Sequence, residues 1–199
     1  MDDFPIETHP FAPVLPPHAR VMMMGTFPPA AAKRCMAFHY PNFQNDMWRI
    51  YGLVFFNDAG YFQVAGEKRF DAGKIRDFLM AHNIALCPTV RRAVRERGNA
   101  SDKFLRIVEP VDLGAVLTQL PDCRWLFTTG GKATETLLSL LEPAPPMPPV
   151  NQAVAFDYHG RHLQLCRLPS SSRAYPLTLA AKAAAYRAFF ERSGVLPLS

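Results

Sequence analysis

No apolar run in this chain approaches the roughly 20 residues that a membrane-crossing helix needs. The N-terminus, with Asp2 and Asp3 followed by prolines, lacks the basic-then-apolar order of a signal peptide. The expectation is a cytoplasmic protein with no membrane partner. Four cysteines, Cys35, Cys87, Cys123 and Cys166, stand far apart and form no C-x-x-C pair, which argues against a zinc ribbon and against a disulfide framework. Their expected place is as buried or incidental thiols. His9, His18, His82, His159 and His162 show no metal-ligand spacing, and His39 stands out only for its position between Phe38 and Tyr40. Gly130-Gly131-Lys132 lacks the full G-x-x-x-x-G-K pattern of a phosphate loop. No segment repeats, and no metal site is expected.

What remains is the composition of a globular chain, 49% hydrophobic and 20% charged. With 199 residues it is long enough for one well-buried core and short for two, so a single domain over residues 1–199 is expected. Lys and Arg outnumber Asp and Glu by 22 to 17, for a net charge of +5. That balance favours an anionic partner such as nucleic acid without requiring one.

The pattern along the chain alternates strands and helices. Ala19 to Met24 reads as a short buried strand stopping at Gly25, where Thr26 to Pro29 begins a loop. Met47, Ile50, Tyr51 and Val54 have helical spacing, which predicts a helix over Asp46 to Phe56 with Asn45 at or beside its start. Further helices are predicted over Ala72 to His82, near Asp112 to Leu120, and over Lys132 to Leu141, with strands at Ile84 to Cys87 and Arg124 to Thr128. Pro143 to Pro149 holds five prolines in seven residues and must be an extended connection. A hairpin about His159-Gly160 and an alanine-rich closing helix over Leu177 to Phe190 follow. The predicted fold class is α/β: a three-layer α/β/α sandwich around a mostly parallel sheet, with loops at the strand C-termini free for chemistry.

Two such loops, Gly25-Thr26-Phe27-Pro28-Pro29 and Leu168-Pro169-Ser170-Ser171-Ser172-Arg173, have the composition of ordinary turns. The run Met24 to Pro29, followed by Phe38-His39-Tyr40-Pro41 and Asn45-Asp46-Met47-Trp48-Arg49, resembles the first motif region of the uracil-DNA glycosylase superfamily. The likeness is to its mismatch-specific and hypoxanthine-type branches. Tyr40-Pro41 stands where His-Pro is usual, two residues are inserted before Asn45, and Met47 replaces a Phe. Ile84 to Val90 resembles the second core strand and its loop, Gly98 to Lys103 the family's G-S-x-D segment, and Thr128 to Ala133 the late strand-to-helix junction. Pro169 to Ser172 falls where the second motif, often H-P-S or N-P-S, belongs.

The resemblance implies a monofunctional DNA glycosylase that needs no metal or other cofactor, binds DNA as a monomer, extrudes a deaminated base and hydrolyses its N-glycosidic bond in base excision repair. Such chemistry needs donors aimed at the base carbonyl and a polar group to hold water. On this reading Gly25, Thr26, Phe27, Pro28, Phe38 and Tyr40 form the base pocket. Phe38 matches the family's stacking aromatic, the alternative being a core phenylalanine. Phe27 occupies the place where many relatives hold water with Asp or Asn, so the catalytic role passes to Asn45, which otherwise is a helix cap. Leu168 replaces the His or Asn that contacts the base carbonyl. Ser170, Ser171, Ser172 and Arg173 are assigned to the DNA minor groove. Of the six basic residues between Arg91 and Arg106, Arg91, Arg95 and Lys103 are the phosphate-contact candidates, the alternative being a solvated charged face. If the Arg91 stretch were helical, Arg91 and Arg95 would share a face. A non-catalytic nucleic-acid binder of the same fold and a nucleoside hydrolase are the rival functions.

Overall fold

The structure, a computed structural model, describes residues 4–96 and 102–199. Arg97 and the Gly98 to Ser101 part of the G-S-x-D-like segment lie outside the described residues. In chain order the elements are β1 (Ile6–Thr8), β2 (Val21–Met24), α1 (Met47–Phe56), α2 (Ala72–Ala81), β3 (Ile84–Leu86), β4 (Val90–Arg95) and β5 (Leu105–Pro110). Then follow α3 (Leu113–Thr118), β6 (Trp125–Thr129), α4 (Gly131–Leu138), β7 (Ala153–Tyr158), β8 (Arg161–Leu168) and α5 (Leu179–Arg192).

The main sheet has five strands in the order β3-β2-β6-β8-β7. Only the β7–β8 hairpin is antiparallel; the other three pairings are parallel. Alternation along each strand sorts side chains to two faces, as the pleat requires. Val21, Met23 and Phe127 face a core shared with Trp48, Ile50, Tyr51 and Phe78, together with Tyr186 and Phe190, so α1, α2 and α5 cover that side. Met22, Met24, Leu126 and Leu165 face Leu113, Val116, Leu117 and Leu137, so α3 and α4 cover the other. All four residues of β2 are buried, as expected of a strand sandwiched between two layers. The predicted α/β/α layering is therefore present.

Short polar side chains open several helices. Asp71 accepts from the Lys74 amide (3.0 Å), Asp112 from Ala115 (2.9 Å) and Thr178 from Ala181 (3.2 Å), each satisfying an otherwise orphaned N–H of a first turn. The α1 helix ends at Asn57 in the left-handed region (φ 53°), and the chain folds back so closely that a side chain at Gly52 would collide with the Asp58 carbonyl. The β7–β8 turn places His159 and Gly160 at positive φ (48° and 76°), the twist a two-residue hairpin requires.

The arginine-rich stretch, read as helical only conditionally, is a strand: Val90–Arg95 belongs to a second, three-stranded antiparallel sheet of order β1-β4-β5. Register shifts between Val90 and Ala93 break the period-two pattern that would have marked it. This small sheet packs on Phe27 through Val90, Ala93 and Leu105, which brings it to the loop after β2. No helix among the described residues is long and apolar enough to cross a membrane.

Candidate active site

The connection after β2 leads into α1 on one face of the sheet, and the connection after β6 leads into α4 on the other. Where neighbouring parallel strands diverge in this way a crevice opens at their C-terminal ends. A cleft of about 510 Å³ lies there, between Gly25 after β2, Thr129 at the end of β6 and Ser170 after β8. That volume is in the roughly 300–1,000 Å³ range of small-molecule sites. Another concavity, of about 620 Å³, lies at the opposite, N-terminal ends of the strands around Arg20, Asn83 and Arg124. It holds none of the predicted site residues, so volume alone does not identify the site.

The floor of the cleft is set by one close approach. A side chain on Gly25 would collide with the Tyr40 hydroxyl, which hydrogen-bonds Thr129 Oγ1 at 2.6 Å. The Gly25 carbonyl accepts both the Thr89 amide (2.8 Å) and the Thr89 hydroxyl (2.9 Å). Burial pushes the Tyr40 phenol far above its usual range, so it stays a neutral hydroxyl. Thr26 donates its hydroxyl to Asp102 Oδ1 at 2.8 Å, closing the cleft on the side of the small sheet. Burial raises the Asp102 carboxyl above the usual range, opposed by the Thr26 hydrogen bond and by the positive charges of Lys132 and Arg95. The Phe27 ring meets His9 edge-on at 5.3 Å between centroids and lies under the Arg95 guanidinium, also at 5.3 Å.

The opposite wall is α1 and the loop after β8. Asn45 lines the cleft, and its Oδ1 accepts the Met47 amide at 2.9 Å. That bond fixes which way the amide points: the carbonyl oxygen turns to the helix, and the NH₂ group, without a partner among the described residues, remains as a donor. The next residue, Asp46, is 6% exposed and ties three elements together. Its amide donates to the Ser171 carbonyl (2.9 Å), its Oδ2 accepts from the fully buried Lys182 ammonium (2.9 Å), and its Oδ1 accepts from Arg173 Nε (3.3 Å). Lys182 also donates to the Ser172 carbonyl (2.8 Å), and the Tyr186 hydroxyl donates to the Pro169 carbonyl (3.0 Å). The serine loop is held against α1 and α5 at nearly every residue.

Of the predicted base-pocket residues, Gly25, Thr26, Phe27, Pro28 and Tyr40 line the cleft, as do Asn45, Ser170, Ser171 and Ser172. Phe38 does not. At 1% exposure it packs against Trp48 and His39 inside the core, so its ring faces no open space for a base. Arg95 is corrected too: 7% exposed, it pairs with Glu7 at 2.9 Å and donates to the Pro28 carbonyl, which makes it a bracket for the loop rather than a phosphate contact. Arg91 is exposed and lies 3.6 Å from Glu109; Lys103 is exposed beside Phe104. Arg173 is half-exposed, with Nε engaged by Asp46.

Sequence reasoning missed His9, His39, Asp102 and Thr129 as cleft residues. Burial lowers His9 to about 3 and His39 to about 4, so both rings are neutral at physiological pH. His39 Nε2 donates to the Ala12 carbonyl at 2.8 Å. His9 Nδ1 sits 3.2 Å from both the Phe11 amide nitrogen and its carbonyl oxygen, which anchors the ring while Nε2 carries no bond among the described residues. Neutral imidazoles beside a phenol, an amide and hydroxyls suit hydrogen bonding to an uncharged polar group. Cys87, Cys123 and Cys166 are buried, and burial raises their thiols to about 12, 11 and 11. Among the described residues no group of three or more His, Cys, Asp or Glu side chains could hold a metal ion.

The fold is an open, doubly wound α/β/α sandwich with its cleft at the strand C-termini. A solution structure of a Methanosarcina acetivorans protein, provisionally described as a uracil DNA glycosylase, is similar to it with a TM-score of 0.65. The match covers 95% of this chain and 99% of that one at 20% sequence identity. No protein-family model and no curated protein matches the sequence.

Two predictions follow from the site's construction. Lys182→Met leaves the Asp46 carboxylate buried with only the longer Arg173 contact, and should cost about 3–5 kcal/mol in urea unfolding. The double variant Lys182→Met/Asp46→Leu should recover most of that loss; a double variant as unstable as the single would mean that the pair is not the source. His9 and His39 have native values below their ordinary one, so the unfolded chain takes up protons first as pH falls. Stability should therefore be full near pH 7 and decline below about pH 6.5 toward pH 4. His9→Gln/His39→Gln should flatten that decline in thermal melts across the same range.

Proposed function

We propose that the protein is a monofunctional DNA glycosylase that excises a deaminated base, uracil or hypoxanthine, from DNA. One observation carries the reading: the segments resembling the two motif regions of the uracil-DNA glycosylase superfamily, far apart in sequence, converge on one cleft at the strand C-termini. The likeness in fold to a protein provisionally described as a uracil DNA glycosylase supports it. Apart from Asp102, the titratable groups that a base flipped into this cleft meets, His9, His39 and Tyr40, are neutral at physiological pH and can hydrogen-bond a leaving base without binding phosphate in its place.

In this reading Phe27, rather than the buried Phe38, is the ring available for stacking, as it lines the cleft and is only partly buried. Asn45 directs its NH₂ group to a water or to the base carbonyl. Ser170, Ser171 and Ser172 present the loop that enters the minor groove, while Arg173, Arg91 and Lys103 supply positive charge to the phosphates. The protein acts as a monomer on DNA in the cytoplasm. A non-catalytic binder of the same fold is the second reading, favoured by the apolar Phe27 and Leu168 at positions where relatives carry polar groups.

Incubation with single- and double-stranded oligonucleotides bearing uracil, hypoxanthine or a G·T mismatch, followed by alkali, should yield cleaved product from the deaminated bases. Tight, salt-sensitive binding with no product on any substrate would establish the binder instead. Asn45→Ala should lower kcat by roughly 100-fold or more while costing only about 1 kcal/mol of stability, the value of a lost cap. A rate loss no larger than the stability loss would make Asn45 a cap and nothing else.

A further inference from the structure

The glycosylase reading leaves one chemical requirement unmet. Hydrolysis breaks the C1′–N bond with the electron pair leaving on the base, while water adds its oxygen to C1′ and must give up a proton. Asn45 cannot take that proton, because an amide is no base and its carbonyl oxygen already accepts from Met47. Phe27 has no acceptor. Thr129 and Tyr40 are bonded to each other, and the histidines, at about 4 for His39 and 3 for His9, are weak bases.

We infer that Asp102, the single carboxylate among the described residues lining the cleft, is the group that orients the attacking water and accepts its proton. This rests on the glycosylase reading. Three observations carry it. Asp102 lies on the cleft wall, brought there by the start of β5, which pairs with the strand packed on Phe27. Its Oδ1 is held by the Thr26 hydroxyl at 2.8 Å, which fixes the carboxylate plane. Its Oδ2 has no hydrogen-bond partner among the described residues, yet no unpartnered side-chain oxygen there is sealed from solvent, so Oδ2 is open to water. Burial also makes Asp102 a better proton acceptor than an ordinary aspartate.

The charged and titratable groups around it are Lys132 at the start of α4, Arg95 on β4 and Tyr40 from the loop before α1. Lys132 and Arg95 draw the Asp102 carboxyl down against the larger upward push of burial, and Asp102 in turn helps to hold the Tyr40 phenol neutral. The proton taken from water passes from Asp102 to solvent after the base departs, and the base anion is protonated from solvent. Atoms and charge then balance with water as the only co-reactant. A carboxylate therefore reaches the cleft from the small sheet, beside the loop in which Phe27 cannot supply one.

The test is single-turnover excision by the full chain as a function of pH, on whichever uracil or hypoxanthine oligonucleotide the wild type cleaves. Wild type should lose activity as pH falls through the Asp102 ionisation. Asp102→Asn should lose roughly 100- to 10,000-fold and show no such acidic limb. Thr26→Ala keeps the carboxylate and should lose far less; equal losses in the two variants would reduce Asp102 to a clamp for the Thr26 loop and overturn the inference. So would wild-type activity without an acidic limb, a measurement that needs no variant to fold, or an Asp102→Asn rate within about threefold of wild type. A wild type inactive on every substrate overturns the glycosylase reading itself, and this inference with it.

Discussion

The carboxylate of Asp46 and the ammonium of Lys182 are both taken out of water, and much of the rest is arranged so that neither is left alone. Two buried ions gain little net stability, since desolvation offsets most of their attraction. What the pair gives is position: it joins the first residue before α1 to the serine loop after β8 and the start of α5, both more than a hundred residues further along the chain. Backbone groups nearby are drawn in too, with Lys182 on the Ser172 carbonyl and the Asp46 amide on Ser171. A loop of small polar residues, which alone would sample many conformations, becomes one fixed wall of the cleft.

The interior of the cleft follows the opposite rule. Burial keeps its phenol and imidazoles uncharged, and the Tyr40 and Thr129 hydroxyls are paired with each other, that of Thr89 with backbone and that of Thr26 with Asp102. Charge is confined to its edges, at Asp102 and at the arginines beyond. A largely neutral lining thus lies between a charged clamp behind and basic residues outside.

The layers were readable from the sequence because they rest on strong local signals. The all-apolar Val21–Met24, the helical spacing of Met47 to Val54 and the His159-Gly160 turn each demand one backbone state. The small sheet was hidden because β1 is three residues long and β4 carries register shifts, so neither displays an alternation to follow. The site was half readable. Residues adjacent to Gly25 and Pro169 follow their strands into the cleft, but His9 and Asp102 reach it only through pairing of β1 with β4 and β4 with β5. Phe38 was misplaced for a related reason: nothing in an aromatic's neighbours tells which side of a wall its ring falls on. Arg95 looked like a surface cation because its partner, Glu7, is 88 positions away.

The contact between Gly25 and the Tyr40 hydroxyl reaches beyond the cleft floor. Position 25 has no room for a β-carbon while a tyrosine stands at 40, and the tyrosine's hydroxyl occupies Thr129, so the three residues constrain one another. A lineage that enlarged residue 25 would first have to surrender the phenol, stranding the threonine. A substitution at this floor would therefore have to be answered at two strand ends and in the loop before α1 together.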